Sequence, residues 1–154
     1  MYSYKIIIKK LLKRNISISI VESCTGGLLS SNFTSVAGIS KIFNMGLITY
    51  SNKSKSSLLK ISQNDLKKYG VVSHQTAALM VKNLQRLTKS KLCISTTGIA
   101  GPSGGTKVKP VGLIYFGIKH GNKIIILEKK FTGSRIQIQQ KTVKAIFTTL
   151  EKLI

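Results

Sequence analysis

Short apolar segments with the two-residue period of a β-strand alternate with segments of helical period, and this alternation restricts the chain to layered α/β folds. In "SISI" the isoleucines recur at every second position, whereas Met80, Leu84 and Leu87 are spaced as on one face of a helix. Helix and strand segments alternate early, and three strand segments follow one another late. These observations predict an α/β fold of three layers, in which helices cover a mixed β-sheet.

Capping residues and glycines indicate where the helices begin and end. Ser62, with Asp65 three residues later, has the pattern of a capping box, and Gly70 is a suitable helix terminator. The predicted helices cover residues 3–13, 26–36, 54–61 and 62–70, with two longer ones that begin after 73 and at about 134. The predicted strands cover residues 16–22, 42–51, 91–98, 111–119 and 123–131.

Length and composition are those of one globular domain over residues 1–154. The chain has 154 residues, 42% of them hydrophobic, which is enough for a sizeable core. Its apolar runs, such as "IIIL", are far shorter than the roughly 18 residues that a membrane span needs, so no membrane partner is expected. Without a CxxC motif, Cys24 and Cys93 are expected to be reduced thiols of a cytoplasmic protein.

The chain is strongly basic, and its formal net charge of +21 suggests a polyanionic partner. However, lysine supplies 22 of the 25 basic residues and is spread along the whole chain. Arginine is the residue preferred for bidentate contacts with phosphates and bases. We therefore expect nonspecific adhesion to polyanions at low salt, and no specific nucleic-acid partner.

The segment "ESCTGG" lies where the first strand ends and a helix begins. Gly26 and Gly27 are predicted to begin that helix. Its free N–H groups and the positive end of its dipole would then face any group bound next to Ser23 and Thr25. Such a turn can bind a phosphate or an oxyanion. The alternative is an ordinary strand-to-helix turn in which a serine or threonine caps the helix.

A second glycine-rich segment, "TTGIAGPSGGTKVKPVG", begins at the end of the predicted strand at 91–98. Its glycines allow several backbone N–H groups to turn towards a ligand. It lacks the GK[ST] of a P-loop and the GxGxxG of a dinucleotide site, so a flexible surface loop is the alternative. Between the two segments, "TYSNKSK" places Tyr50, Asn52 and Lys55 near the end of the second strand.

Taken in order, "ESCTGG", "TYSNKSK", "GIAGPSGG" with "KPVG", and "FTGSR" closely resemble the CinA C-terminal domain family, over roughly residues 3 to 150. The stand-alone members of that family are nicotinamide-nucleotide amidases. The resemblance implies the conversion of nicotinamide mononucleotide and water into nicotinic acid mononucleotide and ammonia, a salvage step, with a small-molecule nucleotide as partner. Longer relatives carry a further domain that resembles molybdopterin-binding proteins, and we expect none in this chain.

Amide hydrolysis requires a nucleophile, a base, donors for the oxyanion and an acid for the leaving ammonia. Neither histidine is suitably placed, because one lies at a helix start and the other beside a predicted turn. A Ser–Lys pair is the available alternative. We predict Ser23 as the nucleophile and Lys55, which matches the family's "YSNxxK" pattern, as its base. Thr25 is the second candidate nucleophile, and Tyr50 is expected to orient the base or to relay the leaving group's proton.

The resemblance also implies how the nucleotide is bound. Glu22 is expected to hold a lysine or to accept a hydrogen bond from a ribose hydroxyl. Oxyanion donors are expected from the backbone at 25–27 or at 98–101, and the 5′-phosphate is expected to meet loop N–H groups and a cation. The predicted substrate-binding residues are Glu22, Gly26, Gly27, Asn52, Gly98, Ala100, Gly101, Lys109 and Arg135. No metal or cofactor is expected, since no ligand-spaced cluster of His, Cys or Asp is present.

The sequence departs from the family pattern at three positions. Ser134 replaces an acidic residue before Arg135, Gln139 replaces a second arginine, and Ser103 replaces a small or acidic residue of the loop. Because glutamine carries no charge, position 139 lacks the cation of the family pattern. Three alternatives follow: a weakly active enzyme, an enzyme with an altered substrate, or an inactive nucleotide-binding relative. The compact domains of this family are also compatible with a homo-oligomer.

Overall fold

The computed structural model describes residues 4–154, in which helices and strands alternate in the first half as predicted. The helices are α1 (Tyr4–Lys13), α2 (Leu28–Thr34), α3 (Asn52–Leu59), α4 (Gln63–Tyr69), α5 (His74–Thr88) and α6 (Arg135–Leu153). A short 3₁₀ helix spans Ile39–Lys41. The strands are β1 (Ile18–Glu22), β2 (Phe43–Ile48), β3 (Leu92–Gly98), β4 (Leu113–His120) and β5 (Lys123–Lys130).

These strands form one mixed sheet in the order β2-β1-β3-β4-β5. β1 pairs in parallel with both β2 and β3, whereas β4 and β5 are antiparallel additions. From β1 the chain passes to β2 on one side and then returns to β3 on the other. The carboxyl ends of β1 and β3 are therefore a topological switch point, where open α/β sheets bind their ligands.

Helices cover both faces of the sheet. α1, α2 and α6 pack on one face, over a core that includes Phe33, Phe116 and Phe147. The other face is covered by α3, α4 and α5, whose buried residues include Leu59 and Met80. The predicted three-layer α/β fold with a mixed sheet is confirmed.

β1 lies between β2 and β3 in the sheet, and all five of its residues are buried. Ile18 and Ile20 face the core under α6, as their alternation predicted, while Val21 joins the core under α5. Ser19, which also lies within the strand, is satisfied by a 2.8 Å hydrogen bond between its hydroxyl and that of Ser90. Because helices cover both faces, a polar residue in this strand needs a partner inside the protein.

Several predicted boundaries are wrong by a few residues. The helix predicted at 26–36 begins at Leu28, because Gly26 and Gly27 have φ of +56° and +102°, a left-handed conformation that does not continue an α-helix. The strand predicted at 42–51 ends at Ile48, and the helix predicted from 54 begins at Asn52. Residue 3, which the first predicted helix includes, lies outside the described residues.

Serine side chains begin four of the described helices. Ser51, Ser62, Ser73 and Ser134 each accept a hydrogen bond from the backbone N–H three residues later. Ser51 and Ser134 take part in reciprocal capping boxes. The hydroxyl of Ser62 accepts from the N–H of Asp65, but the N–H of Ser62 makes no return bond to the Asp65 carboxylate. Each cap contributes about 1 kcal/mol of stability. Between residues 4 and 154, no helix combines the length and the hydropathy required to cross a membrane.

Candidate active site

A cavity of about 310 Å³ opens at the switch point. Its walls come from the turn after β1, the beginning of α3, the glycine-rich loop after β3 and the first residue of α6. The predicted site residues that line it are Ser23, Tyr50, Asn52, Lys55, Gly98, Ala100, Gly101 and Arg135. Larger grooves, of about 450 and 690 Å³, lie beside α6, but the lysines that line them are exposed.

Lys55 and Ser23 meet at the floor of this cavity. Lys55 Nζ lies 3.1 Å from Ser23 Oγ and donates a 2.7 Å hydrogen bond to the carbonyl oxygen of Thr49. The lysine side chain is only 2% exposed, and within residues 4–154 no carboxylate forms a salt bridge with it. The complete capping box of Ser51 sets the direction of α3, and Lys55 lies one turn further along that helix.

Burial changes the protonation of both groups beside Ser23. It lowers the pKa of the Lys55 ammonium from its ordinary value of 10.5, because the charged form loses its hydration. It raises the pKa of the Cys24 thiol to about 12, so this thiol stays protonated and is a poor nucleophile. A neutral Lys55 can accept the proton of Ser23 Oγ, which is the chemistry of a Ser–Lys pair.

Glu22 is fully buried and serves the first turn of α2. Its carboxylate accepts hydrogen bonds from the backbone N–H groups of Gly27 at 3.1 Å, Leu29 at 3.0 Å and Ser30 at 2.8 Å. The positive end of α2 is thus neutralised by the protein's own carboxylate. This corrects the prediction that Glu22 holds a lysine or meets a ribose hydroxyl.

The glycines of the same turn are also engaged within the protein. The N–H of Gly27 donates to Glu22, and the N–H of Gly26 donates to the carbonyl oxygen of Ser23 at 3.1 Å. The prediction that these two glycines bind substrate through a helix N-terminus is therefore wrong. Among residues 4–154, no acceptor takes the N–H of Cys24 or Thr25, which leaves those two donors for a ligand.

Thr25 presents its hydroxyl away from the cavity. The side chain is 2% exposed, and Thr25 Oγ1 lies 2.9 Å from Thr96 Oγ1. Unlike Ser23, Thr25 does not line the cavity, and its hydroxyl is engaged by another threonine instead of a lysine. Of these two hydroxyl residues, only Ser23 lines the cavity and contacts the lysine.

Arg135 joins two walls of the cavity. One guanidinium nitrogen donates to the carbonyl oxygen of Gly101 at 2.7 Å, and the other donates to the hydroxyl of Tyr50. Lys109, the other predicted phosphate ligand, instead donates to the carbonyl oxygen of Val72 at 2.7 Å and does not line the cavity. The prediction for Lys109 is corrected accordingly: its ammonium anchors the glycine-rich loop to the segment before α5.

The glycine-rich loop is closely packed against the sheet. A Cβ at Gly98 would lie 2.4 Å from the side chain of Ile114, so a larger residue has no space there. In the described part of the chain, the N–H groups of Ala100 and Gly101 have no acceptor. These N–H groups belong to residues that line the cavity.

The three departures from the family pattern occupy different places. Ser103 lines the cavity, and Ser134 caps α6. Gln139 lies outside the cavity lining, and its Nε2 donates to the carbonyl oxygen of Cys24 at 2.9 Å. Position 139 thus supports the turn that carries Ser23.

Sequence reasoning missed Thr96 and a group of residues that line the cavity. Thr96 could have been found from the hydroxyl-rich "STT" at the end of a strand, once that strand was paired with β1. The unpredicted lining residues are Cys24, Val71, Val72, Thr97 and Gly104. No group of three His, Cys, Asp or Glu that could hold a metal ion occurs between residues 4 and 154.

Fold and site together define an α/β domain with a Ser–Lys pair at its topological switch point. The CinA C-terminal domain family matches residues 3–154, and the chain belongs to this family. A CinA-like protein of Prochlorococcus marinus is 43% identical over 97% of this chain and 36% of its own length. A Clostridium novyi relative, provisionally named a competence-damage inducible protein, is 48% identical over 88% of this chain and 33% of its own.

Solved structures show the same fold. The competence/damage inducible protein CihA from Agrobacterium tumefaciens has a TM-score of 0.90 at 34% identity, over 97% of this chain and 90% of that one. A CinA superfamily protein from Escherichia coli has a TM-score of 0.92 at 25% identity, over 98% and 88% of the two chains. The chain spans about a third of the length of the curated relatives it matches, 33% to 36%.

Proposed function

We propose that this protein is an amidohydrolase that converts nicotinamide mononucleotide and water into nicotinic acid mononucleotide and ammonia. The observation that carries this proposal is the 3.1 Å approach of the buried Lys55 Nζ to Ser23 Oγ in a cavity. A serine needs an adjacent base to attack an amide, and burial lowers the pKa of Lys55 so that the neutral amine is accessible. The proposed reaction takes place in the cytoplasm.

In the first half of the reaction, Lys55 accepts the proton of Ser23 as Oγ attacks the carboxamide carbon. The tetrahedral intermediate collapses when the lysine returns that proton to the leaving nitrogen, so ammonia departs and a nicotinoyl ester of Ser23 remains. In the second half, Lys55 takes a proton from water, and the resulting hydroxide attacks the ester. The proton then passes to Ser23 Oγ, which restores both side chains and releases the acid.

The oxyanion of each intermediate needs fixed donors beside Ser23. The N–H groups of Cys24 and Thr25 follow the nucleophile directly, and those of Ala100 and Gly101 belong to the opposite wall. All four are without an acceptor in the part of the chain that the structure describes. Backbone donors of this kind are effective because they need no reorganisation as charge develops.

The 5′-phosphate is proposed to bind at Arg135. This guanidinium lines the cavity beside the loop, and nucleotide binding would replace its contact with Tyr50 or Gly101 by a stronger one with phosphate. Asn52 lines the same opening and supplies a neutral amide for the ribose. A volume of about 310 Å³ is at the lower end of the roughly 300–1,000 Å³ of small-molecule sites.

The test is ammonia release from nicotinamide mononucleotide by the purified protein and by Ser23→Ala, Lys55→Ala and Lys53→Ala. We expect turnover that both site substitutions abolish, while Lys53→Ala, an exposed residue of the same helix, retains it. Saturable nucleotide binding without ammonia release by the unmodified protein would contradict the enzyme proposal.

A second candidate function is nucleotide binding with little or no hydrolysis. It is favoured by Gln139, a neutral amide where the family pattern has an arginine, which supports the Cys24 carbonyl. An arginine there would bring a positive charge close to the Ser23 turn. If the missing cation limits catalysis, Gln139→Arg should release ammonia faster than the unmodified protein. An unchanged rate would show that the glutamine is not the cause of a low activity.

A further inference from the structure

Thr96 lies at the switch point, directly opposite the residue that precedes the candidate nucleophile. Its position in β3 pairs in register with Glu22 of β1, and both strands end beside the cavity. The side chain is fully buried and is absent from the cavity lining. Thr96 can therefore act on the site only through the residues that it contacts.

Thr96 holds the turn after β1 on both sides of Cys24. Before Cys24, the N–H of Ser23 donates to the Thr96 carbonyl oxygen at 3.1 Å and lies 3.3 Å from its hydroxyl oxygen. After Cys24, the hydroxyls of Thr96 and Thr25 are 2.9 Å apart. The Thr96 hydroxyl thus joins the backbone of Ser23 to the side chain of Thr25.

This contact determines which parts of the turn face the cavity. Thr25 Oγ1 is hydrogen-bonded to Thr96. Of the two hydroxyls in the turn, those of Ser23 and Thr25, only the Ser23 hydroxyl therefore contacts Lys55. The N–H groups of Cys24 and Thr25 lie between the two anchored points and remain available. If the Thr96 hydroxyl were lost, the backbone contact to Ser23 would persist, but Thr25 would be released to rotate.

We infer that Thr96 is a positioning residue, whose hydroxyl holds Ser23 and the adjacent N–H donors in the geometry for attack. This inference rests on the proposed Ser–Lys chemistry. Thr96 does not line the cavity, so a list of the residues that contact the substrate would not include it. A displacement of about 1 Å at a reacting group costs on the order of 100-fold in rate. A lost anchor at the turn should therefore lower kcat much more than it changes KM.

The first experiment compares Thr96→Val with Thr96→Ser in the complete chain. Valine keeps the shape and removes the hydroxyl, so we expect kcat to fall about 10-fold to 100-fold with KM changed less than about threefold. Thr96→Ser retains the hydroxyl and should keep kcat within about threefold of the unmodified protein. The matched control is Ser95→Ala, which removes a buried hydroxyl from the same strand, one bonded to the carbonyl of Ala77 instead of to the turn.

A second measurement does not depend on the substrate. A fluorophosphonate probe phosphonylates reactive serines: a bond forms between the serine oxygen and phosphorus, and fluoride leaves. The rate of labelling at Ser23 is followed by mass spectrometry. We expect Thr96→Val to be labelled at least 10-fold more slowly, and Thr96→Ser and Ser95→Ala at close to the unmodified rate. Failure of ammonia release together with hydroxyl-dependent labelling would overturn the proposed substrate and leave the role of Thr96 supported.

Thr25→Val tests the same contact from its other end if Thr96→Val does not fold. It should also slow the labelling of Ser23, and the double variant should be no slower than Thr96→Val alone, because Thr96→Val already removes the only contact that Thr25→Val removes, the one between the two hydroxyls. Unchanged labelling of Ser23 in folded Thr96→Val or Thr25→Val overturns the inference. A Ser23 that is unreactive in the unmodified protein also overturns it, because no reactive hydroxyl would then be positioned.

Discussion

The carboxylate of Glu22 accepts a hydrogen bond from the backbone N–H of Ser30 at 2.8 Å, so a buried acid holds the first turn of α2. Two further N–H groups of that turn donate to the same carboxylate. The acidic residue in "ESCTGG" therefore connects β1 to the helix that follows.

Glu22→Gln is expected to lower the free energy of unfolding by about 2 kcal/mol. The glutamine is neutral, and its amide nitrogen cannot accept a hydrogen bond from the backbone N–H groups that the carboxylate binds. Urea denaturation followed by circular dichroism measures the change. Glu128→Gln is the control, since Glu128 is exposed and bonds to the Tyr115 hydroxyl, and it should change stability by less than about 0.5 kcal/mol. Equal effects of the two substitutions would argue against a special role for Glu22.

Lys55→Arg should lose activity about 100-fold or more at neutral pH. An arginine remains protonated and cannot accept the proton of Ser23. For the unmodified protein, kcat/KM should rise with pH as Lys55 deprotonates, and the midpoint should lie below 10.5 because burial lowers its pKa. Lys53→Arg, an exposed neighbour in α3, should have the unmodified profile. A pH-independent rate would exclude Lys55 as the base.

The burial of Lys55 should also be visible in the pH dependence of stability. Its pKa is lower in the folded than in the unfolded chain, so between these two pKa values the unfolded chain binds more protons and the free energy of unfolding rises with pH. Relative to Lys55→Met, the unmodified protein should therefore gain stability as pH increases towards 10.5. Denaturation curves of both proteins at several pH values measure the difference, and a constant difference would contradict the lowered pKa.

Arg135→Ala should weaken nicotinamide mononucleotide binding by roughly tenfold or more, the effect of one lost charge-assisted hydrogen bond of about 1.5 kcal/mol. Nicotinamide riboside, which lacks the phosphate, should bind the variant and the unmodified protein about equally. Competition experiments with both ligands measure this, and Arg86→Ala, on the exposed side of α5, is the control. An equal loss for both ligands would place Arg135 away from the phosphate.

The helices and strands were largely predictable because their signals are local. The alternation in β1 and the serine cap of α4 follow from neighbouring residues, and the structure agrees with them. Boundaries failed where left-handed glycines or a capping serine shifted an end, as at Leu28 and Asn52. The topology was predictable only as a class, since strand order depends on pairing between distant segments.

By itself, the sequence determined the layered α/β architecture, the glycine-rich loop and the hydroxyl and lysine residues available for chemistry. Only the tertiary structure decided how they are used, because partners in the site are far apart in the chain. Ser23 and Lys55 are 32 residues apart, and the contact between Thr25 and Thr96 spans 71. Parallel pairing of β1 with β3, and the packing of α3 beside them, bring these groups together and bury the lysine. Burial and hydrogen-bond geometry, which no local pattern encodes, distinguish Ser23, which contacts the buried lysine, from the threonine two residues later.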